Sequence, residues 1–215
     1  MPKNTFFNLS EEKRARIVES SIEEFSSNPY EVASINQIVK HSEIAKGSFY
    51  QYFENKEDLY KHLVEICEVE KESYIDIAIK RTKYVDFFER LKEVYKSIIR
   101  FSDEKPKYAA VLDHIYKIDD LNLKSEILES LELDGPNVFS KLIDEAIEEG
   151  ELKSSLDTEL IASFLVNINV FLKEYRKTKG VLFDYESKVD ELVDVLEYGI
   201  KPKSRVNKNK DDLLY

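Results

Sequence analysis

The chain has 215 residues, 42% of them hydrophobic and 35% charged, with five Gly, five Pro and a formal net charge of −11. That length supports a sizeable core in one or two domains, and so little Gly and Pro favours an all-α fold over a β-rich or Rossmann-type one. The single cysteine, Cys67, excludes an internal disulfide, no stretch approaches the roughly 18 apolar residues of a membrane span, and MPKNTFFNLSEEKR carries no export signal, so a cytoplasmic location is expected.

Residues 1–9 read as a loose arm carrying Lys3. Ser10 can cap a first helix, with Glu11 and Glu12 in the turn where the helix dipole favours acids. Ile17, Val18, Ser21, Ile22 and Phe25 form its buried face. Ser26-Ser27-Asn28-Pro29 ends it, because Pro29 cannot continue a helix. Ser34 with Gln37 three residues on reads as a capping box, opening a short helix whose apolar face is Ile35, Ile38 and Val39. Ser42-Glu43-Ile44 fits a tight turn. A second short helix then runs from about residue 46 to 53. Phe49 and Phe53 are four apart, share a face and pack inward with Ile44. Lys46, Ser48, Tyr50, Gln51 and Tyr52 are left to point elsewhere. One positive charge, a hydroxyl, an amide and two phenols suit phosphates and base edges in a DNA major groove.

At these positions residues 17–63 resemble the DNA-binding domain of TetR-type transcriptional regulators. The resemblance rests on AKGSFYQYFENKEDLY, where Lys-Gly-x-Phe-Tyr-x-Tyr-Phe-x-x-Lys-x-x-Leu matches that family's recognition helix and the start of its next helix. It implies a homeodomain-like three-helix, helix-turn-helix DNA-binding domain over residues 1–55. A helical ligand-binding and dimerisation domain would follow over 56–200, and a basic, disordered tail over 201–215. Lys46 and Gly47 would lie at the helix N-terminus close to DNA, Ser48, Tyr50, Gln51 and Tyr52 would contact phosphate and bases, and Lys56 would clamp the backbone. Ser34 would offer its hydroxyl or helix N-terminus to another phosphate, and Gln51 would read a base, since an amide can pair with adenine. Two positions depart from the pattern. Glu43 stands where the family usually has a left-handed Gly, at a cost of about 1 kcal/mol, and Ala45 stands where Ser or Thr often caps.

Acidity opposes DNA binding at first sight, since residues 1–60 hold seven Lys/Arg against ten Asp/Glu. Between 34 and 56, however, Lys40, Lys46 and Lys56 outnumber Glu43 and Glu54, and helix N-termini, backbone N–H groups, Ser and Tyr also bind phosphate. The expected salt dependence is therefore shallow.

Asn55 caps a long helix with Leu59, Leu63, Ile66, Tyr74 and Ile77 as its inner stripe. From roughly Arg81 a second domain follows. Phe87, Phe88, Leu91, Val94, Tyr95, Ile98 and Ile99 mark an amphipathic helix, broken over residues 102–106. Tyr108, Val111, Leu112, Ile115 and Tyr116 line the next, and Leu123, Ile127, Leu128 and Leu131 a short one. Gly135-Pro136 separates these from a helix of Val138, Phe139, Leu142, Ile143, Ala146 and Ile147, with Gly150 at its end. Asp157 starts the most hydrophobic helix, with Leu160, Ile161, Phe164, Leu165, Ile168, Phe171, Leu172 and Tyr175 in one broad stripe, ended by Gly180. Asp184 opens the last, with Val189, Leu192, Val193, Leu196 and Ile200 on one face. The family resemblance implies that these last two helices form a four-helix bundle with a second copy, through Phe164, Ile168, Leu172, Leu192 and Leu196.

Polar groups on apolar helices need partners. Tyr95, Tyr108, His114, Tyr116, Asn167 and Phe171 are the candidate ligand-binding set, and Asn167 and Asn169 could equally face a dimer interface. His41, His62 and His114 lack metal-ligand spacing, no metal site or cofactor is expected, and Cys67 among Glu65, Glu68 and Glu70 reads as a packing residue. Without a P-loop or Gly-x-Ser-x-Gly elbow the chain is not read as an enzyme. The expected function is a homodimeric repressor that binds an inverted-repeat operator in double-stranded DNA and is released by a small hydrophobic effector. The alternatives are a ligand-independent DNA-binding adaptor that recruits a protein, and a helical module that has lost DNA binding.

Overall fold

Local signals place most of the helix ends. The computed structural model describes residues 2–133, 138–179 and 184–198, and all regular structure among them is helical. In chain order the helices are α1 (Asn4–Phe7), α2 (Glu11–Ser27), α3 (Ile35–His41), α4 (Lys46–Tyr52), α5 (Lys56–Arg81), α6 (Phe87–Glu104), α7 (Pro106–Ile115), α8 (Leu121–Leu133), α9 (Val138–Glu148), α10 (Thr158–Lys179) and α11 (Tyr185–Tyr198). Asn55 Oδ1 accepts the Asp58 N–H at 2.8 Å to start α5, and the Asp86 carboxylate accepts from Phe88 and Glu89 at 2.9 and 3.1 Å to start α6. Pro106 sits in the first turn of α7, where its missing N–H costs nothing. Gly150, at φ +77°, terminates α9. The expected separators Gly135-Pro136 and Gly180, Ile200 of the last apolar stripe, and the basic tail lie outside the described residues.

Two expectations near the start are corrected. The N-terminal segment is docked: it forms α1 and buries Phe6 completely. Burying a Phe ring stabilises by about 1.5–3 kcal/mol, which a loose arm would forgo. Ser34 does precede α3, but its side chain makes no cap bond. Its backbone N–H instead donates to Glu24 Oε1 at 2.9 Å, so α2 holds the start of α3.

Side chains sort into two hydrophobic cores. The first gathers Ile17, Ile22 and Phe25 of α2, Ile38 and Val39 of α3, Phe49 and Phe53, Leu59, Tyr60, Leu63, Val64 and Cys67 of α5, and then Val111, Leu112 and Ile115 of α7 with Leu123 and Ile127 of α8. The second joins Ile75 of α5 to Leu91, Val94, Tyr95 and Ile98 of α6, Phe139 to Ala146 of α9, Leu165 and Leu172 of α10, and Val189 and Val193 of α11. The 26-residue α5, about 39 Å long at 1.5 Å per residue, serves both. Its stripe differs from the expected one at Ile77, which is exposed, while Ile75 and Ala78 turn inward.

Candidate nucleic-acid interface

The turn between α3 and α4 fixes how α4 leaves α3. Glu43 adopts φ +54°, a left-handed backbone on a residue with a Cβ. Around it the Ile44 N–H reaches Val39 O at 3.1 Å and the Glu43 N–H reaches Lys40 O at 3.3 Å. That pair of bonds is a Schellman termination, and Ile44 and Val39 supply its apolar contact within the first core. Arg16 offsets the strain from outside. Its Nε donates to Ser42 O at 3.0 Å, and its guanidinium lies 3.6 Å from the Glu43 carboxylate.

Beyond the turn α4 divides cleanly. Phe49 and Tyr52 face the core, followed by Phe53, while Lys46, Gly47, Tyr50 and Gln51 face solvent and Ser48 is half-buried. Ala45 stands at the N-cap without a side-chain bond, which leaves the first N–H groups of α4 open to an external acceptor. Gly47 has nothing within 4 Å of where a Cβ would be. No packing among the described residues calls for glycine there. Lys40 and Lys46 make no ion pair among the described residues.

Two of the expected contact residues are placed otherwise. Tyr52 is 6% exposed; its ring tilts against Phe6 at 6.4 Å and lies under the Lys13 ammonium at 5.7 Å. It is three residues from Phe49, so helical geometry puts both on the inner face. Lys56 directs its ammonium inward as well. Nζ donates to the carbonyls of Tyr30, Glu31 and Ala33 at 2.7, 3.2 and 3.2 Å and lies 4.6 Å from the Tyr30 ring centroid. All three donors are used on the loop between α2 and α3, and burial lowers the Lys56 pKa. Lys56 therefore staples that loop to the start of α5 and leaves no N–H for a phosphate.

The face is tied to the rest of the molecule through α7. His114 Nδ1 lies 2.9 Å from Phe25 O at the end of α2, and Tyr60 Oη donates to Val111 O at 3.1 Å. Burial pushes the Tyr60 phenol well above its ordinary pKa, so it remains a donor. Lys107 pairs with Glu23, and the Asp119 N–H donates to Glu31 at 2.9 Å. None of these links follows from local periodicity. The signal that could have found them is the polar atoms of His114 and Tyr60 on otherwise apolar stripes.

The candidate ligand residues do not converge. Tyr95 closes the second core by donating to Leu165 O at 2.8 Å. Tyr108 and His114 belong to the first-core side. Tyr116 is exposed, and Asn167 and Phe171 lie on the outer face of α10. Asn167 bonds back to Ser163 O at 2.8 Å, a local partner within its own helix. Asn169 turns the other way, and its Oδ1 is buried without a hydrogen-bond partner among the described residues. A cleft of about 430 Å³ between α6, α10 and α11 is lined by charged groups, among them Lys96, Arg100, Asp103 and Arg176. Of the expected dimer residues Phe164 is half exposed, and Ile168, Leu192 and Leu196 are partly buried. Leu172 is sealed in the second core at 1% exposure and cannot meet a second chain.

Residues 17–63, from the middle of α2 into α5, match the family model for bacterial regulatory proteins of the tetR family. The match frames the same turn and reading helix whose geometry is given above. Over that segment the chain is similar to the TetR family. The chain is 27% identical over 165 residues to the fatty acid metabolism regulator protein of Bacillus subtilis, covering 69% of this chain and 75% of that protein. A TetR-family regulator from Chloroflexus aurantiacus superposes with TM-score 0.67 at 26% identity, over 94% of this chain and 100% of that one. The Bacillus subtilis transcriptional regulator FadR in complex with stearoyl-CoA superposes with TM-score 0.69 at 21% identity, over 87% and 99%. The chain is thus similar to transcriptional regulators in its N-terminal sequence and in its fold, and among its described residues no helix is long and apolar enough to cross a membrane.

Proposed function

We propose that this protein represses transcription as a homodimer, reading an inverted repeat through Lys46, Gly47, Ser48, Tyr50 and Gln51 and releasing it on binding an amphipathic effector with a long apolar chain. The outer face of α4 carries the reading: it presents a cation, two hydroxyl groups, an amide and an unobstructed glycine backbone on one surface. Ser34, half-buried at the start of α3, adds a hydroxyl at the same edge. Two heads on a twofold axis must stand about 34–36 Å apart to enter successive major grooves. Leu160, Phe164 and Phe171 of α10 and Val195 and Tyr198 of α11 are large apolar side chains left exposed, which supports pairing through α10 and α11.

The effector reading draws on the fatty acid regulator among the relatives and on the unpartnered Asn169 amide oxygen facing the second core. An effector that separates α10 from α6 would move α7, and α7 carries His114 and Val111 against the head. Its action is limited to its differential affinity for the two forms. No catalytic chemistry is assigned. A second reading, a DNA-binding adaptor without effector, is favoured by the direct Tyr95–Leu165 closure of the second core. Selection from a random DNA pool tests the main reading: an enriched inverted repeat is expected, and enrichment of none overturns it. Thermal unfolding with acyl-CoA esters of increasing length separates the two: a chain-length-dependent rise supports the effector, and no rise at any length supports the adaptor.

A further inference from the structure

The C-terminal end of α4 is held by a segment more than forty residues away in sequence. A helix leaves its last carbonyls without internal donors, and α4 has only seven residues with no basic residue in its last turn. Tyr50 O accepts from Lys3 Nζ at 2.9 Å, Gln51 O accepts from the Thr5 hydroxyl, and Tyr52 O accepts from the Lys3 backbone N–H at 2.8 Å. Every carbonyl beyond the last internal bond is thus taken. The segment is itself anchored. Phe6 is fully buried, 4.9 Å from the Phe53 ring and 5.5 Å from the His62 ring, and Arg14 donates to Phe7 O at 3.1 Å.

We propose that residues 3–6 are a clamp that sets the pitch of the reading helix, with Lys3 a positioning residue rather than a phosphate contact. A single helix of two turns does not persist in water. The opposite end of α4 is set by the Glu43 turn but has no side-chain cap, so the grip on the C-terminal end supplies the second fixed point of its direction. Lys3 also places a positive charge at the negative pole of the helix, which no residue of α4 supplies. The Lys3 ammonium is spent on a carbonyl of α4 and not on a phosphate.

The proposal rests on the DNA-reading function of α4, and its test separates the two. Amide hydrogen exchange across residues 49–53, measured on the full chain without DNA, reports the clamp alone. Lys3→Met keeps the aliphatic stem and removes the donors; Thr5→Val keeps the volume and removes the hydroxyl, and serves if the first variant fails to fold. Each is expected to accelerate exchange there about tenfold, and unchanged exchange in both overturns the clamp whether or not the protein binds DNA. Operator titrations of Lys3→Met over about 50–200 mM salt are expected to show a parallel loss of about tenfold at every concentration. A salt slope smaller by about 1 per protomer would make Lys3 a phosphate contact and overturn its positioning role.

Discussion

The core beneath the reading helix and the core beneath α10 are built from the same Leu, Ile, Val, Phe and Tyr side chains, yet they meet solvent differently. Around the first, buried polar groups are answered within the chain: Tyr60 by Val111, His114 by Phe25, and Lys56 by three carbonyls. Around the second, α10 leaves Phe164 51% and Phe171 55% exposed on one side and an unpartnered Asn169 oxygen on the other. One region is complete as a single chain. The other keeps surfaces that a second chain or a small molecule would finish. Polar groups are thus satisfied under the surface proposed to fit DNA, and incompleteness lies where an effector or a second copy is proposed to act.

The contrast breaks most sharply at α10. Phe164→Glu with Phe171→Glu leaves the first core untouched and is expected to give monomers by sedimentation, with operator affinity lower by about 100-fold or more because the two heads no longer bind as one unit. A dimer that survives would place the pairing surface elsewhere. Phe53→Ala attacks the complete core instead and should cost about 3–5 kcal/mol in denaturant unfolding. Lys56→Met sharpens the distinction between support and contact. Stability should fall by about 1–3 kcal/mol as carbonyls lose their donor, while the salt slope of DNA binding stays unchanged. Lys46→Met should do the reverse, lowering that slope by about 1 per protomer at constant stability. Gly47→Ala is expected to raise stability by up to about 1 kcal/mol, since alanine suits a helix and the space is open, while weakening operator binding.

The smallest effect is a pH dependence. Burial holds the His62 imidazole below its ordinary value of 6.5, with Glu65 opposing. The fold accommodates the neutral ring between Phe6 and Phe7. A depressed folded value means that this contribution is intact above 6.5 and is lost as pH falls through the folded value. Thermal unfolding from about pH 7 to about pH 5 should show the loss, and His62→Gln should flatten it. An identical pH profile in that variant would remove His62 as the cause.

Legibility in the sequence follows the same division. Caps at Ser10 and Asn55, the breaks at Pro29 and Gly150, and the turn over Ser42-Glu43-Ile44 are local events with local signatures, and the structure has them where the residues indicated; the left-handed backbone at Glu43 followed only from the family resemblance. Phe49 and Phe53 point inward for the same reason. Tyr52 was readable too, because its three-residue offset from Phe49 shares that face, but a phenol beside Gln51 resembles a contact residue. Lys3 and Lys56 were not readable. Their acceptors are backbone carbonyls 47 and 23 to 26 residues away, and carbonyls leave no mark in a sequence. The candidate ligand residues scattered because an aromatic on an apolar stripe fits either core, and periodicity does not say which. Leu172 faced inward because α10 is apolar over so much of its surface that its stripe did not specify a side.

Cys67 lies in the first core, fully buried, with burial and then Glu68 and Glu70 pushing its thiol up to about 12. It is also the chain's single cysteine. A maleimide or iodoacetamide reagent can reach that sulfur only after the helices beneath the reading head have parted. The natural protein thus carries its own stopwatch: labelling rate reads the frequency of that parting without any engineered reporter, and operator or effector can each be asked whether it slows the hand.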